Sequence, residues 1–249
     1  MKNLILIAIL ALAASFIPAL QKKSIKIFLA GDSTCAIKST KAFPETGWGM
    51  PFVYFWDSTV TVVNLARNGR STKSFRNEGL WKKITDDATT GDYVFIQFGH
   101  NDEVPTKKDA TTEAEFRGNL TRYVKEARST GAVPVLITPV ARRKFDSASG
   151  LIVGTHNVYS QIVRTVANEN HVLLIDLDMK AQQLYQQMGV EHSKSLFLHL
   201  KPGEHPNYPD GKEDNTHFNE LGARLIAQIV LTDIRQLLPD LAERIVRKK

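Results

Sequence analysis

One cysteine, Cys35, stands in the 249 residues, so no intramolecular disulfide can form and stability has to come from a buried core. A thiol in that position reads as a small core filler. Long hydrophobic runs are missing beyond residue 20, and nothing there approaches the ~20 apolar residues that cross a bilayer. No Pro-, Gly- or Ser-rich linker, low-complexity tract or internal repeat divides the chain, which leaves residues 21–249 as one domain. Blocks of like charge, zinc-ligand spacings and RNA-binding aromatic motifs are also absent. Nucleic acid is therefore not an expected partner, although the formal net charge is +6. No His-Glu-x-x-His pattern occurs, and His192, His199 and His205 are expected in a polar loop, so no metal and no organic cofactor is predicted.

The first residues carry a signal of their own. Lys2 precedes an apolar run over residues 4–13, and small residues follow. That pattern predicts a secretory signal over residues 1–20, export to the periplasm or beyond, and no stable membrane insertion after cleavage.

Short β-rich runs at 25–30, 61–66, 93–98, 133–138 and 172–177 predict five buried strands. Thr112 and Glu115 form a capping box, after which Phe116, Leu120, Val124 and Ala127 share a helix face. Val158, Ile162 and Val166 mark a second helix, and Leu221, Leu225 and Ile229 a closing one. Strands alternating with helices predict a three-layer α/β/α sandwich around a five-stranded parallel sheet, of the flavodoxin-like kind. In such a sheet, chemistry gathers outside the carboxyl ends of the strands. Those ends here read Gly31-Asp32-Ser33, Asn68-Gly69-Arg70-Ser71, Gly99-His100-Asn101-Asp102 and Thr138-Pro139-Val140-Ala141-Arg142-Arg143.

A serine hydroxyl needs a base beside it and a third group to orient that base. Asp214 and His217, three residues apart in a loop before the closing helix, supply both for Ser33. An acyl-transfer site also needs donors for the developing oxyanion. The candidates are the backbone N–H groups of Ser33 and Gly69 and the side-chain amide of Asn101. Glycine at 69 would keep a Cβ from crowding the intermediate. Ser71 is not the nucleophile, because Lys73 stands where Gly-x-Ser-x-Gly needs its last glycine.

Gly31-Asp32-Ser33, Gly69 in Asn64-x-Ala66-x-Asn68-Gly69, Gly99-His100-Asn101-Asp102 and Asp214-x-x-His217 resemble the four blocks of the SGNH (GDS-type) hydrolases, in order. The resemblance implies a serine esterase with Ser33, Asp214 and His217 as catalytic triad and Ser33, Gly69 and Asn101 as oxyanion hole. Gly47-Trp48-Gly49, Asn68-Gly69-Arg70-Ser71 and Asp214-x-Thr216-His217-Phe218 are further similar to rhamnogalacturonan acetylesterases. That implies an acetylated acidic polysaccharide, pectic rhamnogalacturonan first, as substrate. Arg70 and Arg142 are candidate partners for a uronate carboxylate, and Trp48 for a sugar face. The rival readings are an acetylxylan or other sugar acetylesterase, a lipid or thioester hydrolase, and a silent carbohydrate-binding protein.

Overall fold

The β-branched runs become five parallel strands: β1 Ile25–Gly31, β2 Val60–Asn64, β3 Tyr93–Gln97, β4 Val133–Ile137 and β5 Leu173–Ile175. The computed structural model describes residues 22–246, so the predicted signal segment lies outside the described residues. Strand order is β2-β1-β3-β4-β5, with every neighbouring pair parallel. In that order the connections diverge between β1 and β3, the place where open α/β sheets open a crevice.

Alternation along each strand sends side chains to two cores. Ile27, Leu29, Phe95, Val135, Ile137 and Ile175 pack under one helical layer, formed by α1 (Gly49–Phe52), α6 (Leu177–His192) and α7 (Glu220–Leu237). Phe28, Ala30, Val94, Ile96 and Leu136 pack under the other, formed by α2 (Thr72–Asn77), α3 (Leu80–Asp87), α4 (Glu113–Ser129) and α5 (Asn157–Glu169). The predicted three-layer sandwich is the observed one. α4 starts at the expected capping box, with Thr112 accepting from the Glu115 N–H, and buries Phe116, Leu120, Val124 and Ala127.

In two helices the first residue of the expected apolar stripe is exposed, while Ile162, Val166, Leu225 and Ile229 pack on the core as expected. Val158 is 50% and Leu221 51% exposed. The buried stripe of α5 is Ser160, Val163, Val166 and Ala167, and that of α7 includes Gly222, Ala223, Ile226, Ala227 and Val230. Small residues let a helix lie close on the sheet, so the largest apolar side chains do not by themselves mark the inner face.

The region after β5 departs further from expectation. The strand stops at Ile175 because the Asp176 carboxylate caps the next helix, accepting from the Met179 N–H. The predicted polar loop is instead α6, a turn, and an antiparallel hairpin of β6 (Phe197–Leu200) and β7 (Lys212–Phe218). His192 ends α6, His199 lies on β6, and His205 lies beyond β6. A short helix, α8 (Pro239–Ala242), follows α7.

Candidate active site

The turn after β1 is built by Asp32. Its fully buried carboxylate accepts from the Thr34 N–H at 3.0 Å and the Thr34 hydroxyl at 2.8 Å, an Asx-type turn that lifts Ser33 clear of the strand. Burial raises the Asp32 pKa against the lowering pull of the two Thr34 bonds. Beneath it runs a buried chain of donors. The Trp48 indole N–H reaches Gln97 Oε1 at 2.6 Å, and Gln97 Nε2 reaches Thr34 Oγ1 at 2.7 Å.

This chain corrects the reading of Trp48 as a sugar platform. Its side chain is 1% exposed and packs edge-on against Phe52, so its indole braces the serine turn from below. Cys35 is the buried filler expected, its thiol pushed up by burial first and then by Asp32.

Gly47 is fixed by this packing. An added Cβ would stand 2.1 Å from the Ala36 carbonyl oxygen and 2.7 Å from the Cys35 carbonyl carbon. Gly47→Ala is therefore expected to destabilise by about 1–3 kcal/mol, as overpacking does. The urea midpoint reads that loss, and esterase activity should fall with it because the strain lies on the turn that carries Ser33.

The partners of Ser33 come from the β6–β7 hairpin. Its ladder steps from Phe197 opposite Phe218 to Leu198 opposite Asp214, so residues 215–217 bulge out of β7. The bulge presents His217. Its Nε2 lies 3.0 Å from Ser33 Oγ, and its Nδ1 lies 2.8 Å from Asp214 Oδ2. Asp214 Oδ1 meanwhile accepts the backbone N–H groups of Thr216 at 2.7 Å and His217 at 2.9 Å. Burial alone would raise the Asp214 pKa. The His217 ring and these backbone donors outweigh it and hold the carboxyl well below the usual range.

Neighbouring side chains grip the bulge from outside. Arg143, nearly buried, donates to Asn215 Oδ1 at 2.7 Å and Ser193 Oγ at 2.9 Å. Arg142 donates to Thr216 Oγ1 at 2.8 Å, and the Thr46 N–H reaches the Phe218 carbonyl at 2.8 Å.

Ser33 and His217 open on a pocket of about 320 Å³, also lined by Glu45, Asn68, Gly69, His100, Asn101, Lys107, Arg142 and Thr216. Larger depressions occur elsewhere. The one between α5 and α6, lined by Arg164, Asp176 and several glutamines, has no serine or cysteine in its wall. Gly69 has φ +77°, a left-handed backbone, and open space where a Cβ would stand. Its backbone conformation by itself favours glycine, a second reason for the residue beside the room it leaves for a bound intermediate. Ser71, the rejected nucleophile, caps α2 by accepting from the Ser74 N–H.

Arg70 is not among the residues that line the pocket. Glu78, just past the end of α2, holds its Nε at 2.9 Å, and its Nη1 braces the Asn68 carbonyl at 2.7 Å. The guanidinium supports the Gly69 turn, and the expected uronate contact at Arg70 does not form part of this pocket. Arg142 does line it.

Three residues in and around the pocket have roles that the sequence did not assign. Lys38 is buried, bonded to Glu45 at 2.6 Å and Asn68 Oδ1 at 2.7 Å, which ties the 38–45 loop to the Gly69 turn. His100 packs against His156 with ring centroids 4.2 Å apart. Burial, then the nearby His156, Arg142 and His217, hold its pKa well below the ordinary histidine range. Asp102 faces away and accepts from the Thr72 N–H, the Thr72 hydroxyl and the Thr111 hydroxyl. Burial pushes its pKa up to about 7.

Comparison with known proteins agrees with this geometry. Residues 29–225 match the model of the GDSL-like Lipase/Acylhydrolase family. The chain is 43% identical over 232 residues to the rhamnogalacturonan acetylesterase RhgT of Bacillus subtilis, covering 92% of this chain and 98% of that protein. It is 33% identical over 225 residues to YesY, a probable rhamnogalacturonan acetylesterase of the same bacterium, covering 90% of this chain and 98% of that one. The crystal structure of Bacillus subtilis YxiM superposes with a TM-score of 0.73 at 26% identity, covering 86% of this chain but only 57% of that one. With a family match that spans most of its length, the chain belongs to the GDSL-like lipase/acylhydrolase family and is a carboxylic ester hydrolase.

Proposed function

We propose that the protein is a secreted serine carbohydrate esterase that removes acetyl groups from an acidic plant cell-wall polysaccharide, with pectic rhamnogalacturonan as the first candidate. The observation that carries this reading is the Ser33–His217–Asp214 relay opening on a small pocket lined by polar side chains and Gly69. Among the described residues no aliphatic or aromatic hydrocarbon side chain lines that pocket, which disfavours a long acyl group and suits acetyl on a sugar. The two rhamnogalacturonan acetylesterase relatives support the same substrate class. All the candidate catalytic groups are present, so a silent binding role has no support from a missing residue.

The chemistry follows from the geometry. Ser33 Oγ attacks the acetyl carbonyl carbon while His217 Nε2 takes its proton. The oxyanion is met by the backbone N–H groups of Ser33 and Gly69 and an amide N–H of Asn101. His217 returns the proton to the departing sugar oxygen, and a water activated by the same imidazole releases acetate from Ser33. We assign the neighbouring uronate carboxylate to the Arg142 guanidinium, a reading supported by its position in the pocket wall. Export follows from the N-terminal signal pattern. Among the described residues no helix is long and apolar enough to cross a membrane.

Acetate release from acetylated rhamnogalacturonan and from acetylxylan tests the substrate. Release from the pectic polymer alone is expected. Equal or faster release from acetylxylan would retain the esterase and retire the pectic assignment. Asn101→Ala should lower kcat by roughly 10²–10³-fold, the usual loss for one oxyanion donor. A change below about threefold would take Asn101 out of the hole.

A further inference from the structure

Asn101 is a candidate oxyanion donor only if its carboxamide faces the right way, and an unconstrained carboxamide can turn over. Two contacts forbid that here. Lys107 Nζ, which can only donate, bonds to the carboxamide oxygen Oδ1. The Arg70 carbonyl, which can only accept, takes one hydrogen from Nδ2 at 3.0 Å. Both partners select the same orientation and leave the second Nδ2 hydrogen uncommitted, on a residue that lines the pocket with Ser33 and Gly69.

Each partner is itself held. The Arg70 carbonyl belongs to the turn braced by Glu78 and Asn68. Lys107 sits on a loop closed by its own N–H to the Val104 carbonyl and by the Thr111 N–H to the Asp102 carbonyl. Lys107 and Asn101 both line the pocket, six residues apart in the chain.

We propose that Lys107 is a positioning residue for the oxyanion hole, holding the Asn101 carboxamide in the orientation that donates into the pocket. The ammonium also withdraws electron density from the amide oxygen and so makes the amide N–H a stronger donor to a developing oxyanion. The proposal rests on the reading of Asn101 as an oxyanion donor and adds the residue that makes it one. A sequence cannot display it, because lysine is common on surfaces and no motif spans the five residues between Asn101 and Lys107.

The test is a double-mutant cycle with p-nitrophenyl acetate, a substrate without a uronate carboxylate. Lys107→Met, which keeps the side-chain length and removes the charge, should lower kcat about tenfold with KM nearly unchanged. Lys107→Arg should recover most of that loss. In an Asn101→Ala background, Lys107→Met should cost less than about twofold, because the group it positions has gone. Lys107 is exposed as a residue, so the variants are expected to fold, and thermal unfolding checks that.

Loss of the full tenfold in the Asn101→Ala background would overturn the proposal, since Lys107 would then act on something else. An unchanged kcat for Lys107→Met beside a crippled Asn101→Ala would overturn it too, leaving Asn101 as a donor that needs no support. Normal turnover of p-nitrophenyl acetate with a raised KM on acetylated polyuronate would make Lys107 a substrate contact, against this assignment. An Asn101→Ala variant with wild-type kcat would bring down the underlying reading of the oxyanion hole instead.

Discussion

Ser33→Ala is expected to abolish ester hydrolysis almost completely, lowering kcat by roughly 10⁶-fold, the loss seen when a triad nucleophile is removed elsewhere. Among the described residues, the Ser33 side chain bonds only to His217 Nε2, at 3.0 Å. Its turn is held by Asp32, Thr34, Gln97 and Trp48, none of which touches the Ser33 hydroxyl. Removing Oγ therefore leaves the scaffold intact, and the variant should unfold at the wild-type urea midpoint. No nearby group can take over. The Cys35 thiol is buried, with burial keeping it protonated, and the Ser71 hydroxyl is committed to its helix cap and to the Asp109 carbonyl. What remains should be the slow reaction of water in a site that still binds the oxyanion. Acetate release within about tenfold of wild type would mean that Ser33 is not the nucleophile.

The parts of this site that could be read in advance are those where one residue type has one chemical use at a strand end. The five strands were legible as β-branched runs because a parallel strand is buried on both faces. Ser33, Gly69 and Asn101 could be singled out because the parallel sheet gathers the carboxyl ends of β1, β2 and β3, and Asp214 and His217 because a carboxylate three residues before a histidine can orient its ring. The hairpin that carries His217 was not. β7 is largely exposed and reads Lys-Glu-Asp-Asn-Thr-His-Phe, with no apolar alternation to mark a strand. α6 escaped for a related reason, since its buried stripe is as narrow as Leu177, Ala181 and Tyr185 among glutamines. Trp48 and Arg70 failed differently. A tryptophan beside a site has the same sequence whether it stacks on a sugar or plugs the floor. Only the fold brings Gln97 to its indole and Glu78 to the arginine.

Asp214→Asn is expected to cost about 10⁴-fold in kcat, roughly a hundredfold less than losing the serine, and the hydrogen bonds around it give the reason. Asp214 Oδ1 accepts two backbone N–H groups, from Thr216 and His217. An asparagine at this position must keep its oxygen there, because an NH₂ group facing two donors would leave all three unsatisfied. Its amide nitrogen is then forced into the place of Oδ2, 2.8 Å from His217 Nδ1. That nitrogen can only donate, so Nδ1 must become the acceptor and the ring proton must move to Nε2. A protonated Nε2 facing Ser33 Oγ cannot take its proton. The bulge should keep its shape, since both backbone bonds survive, but the variant should be less stable than wild type at neutral pH, because the depressed carboxylate pKa is stabilisation that a neutral amide gives up. Asp214→Ala makes the contrast. It loses the backbone bonds as well, yet leaves His217 free to adopt either tautomer, so its activity should equal or exceed that of Asp214→Asn. Rates for the two variants on one acetyl ester decide the matter. An asparagine variant clearly faster than the alanine variant would show that tautomer selection is not what Asp214 supplies, leaving stabilisation of the imidazolium as its role.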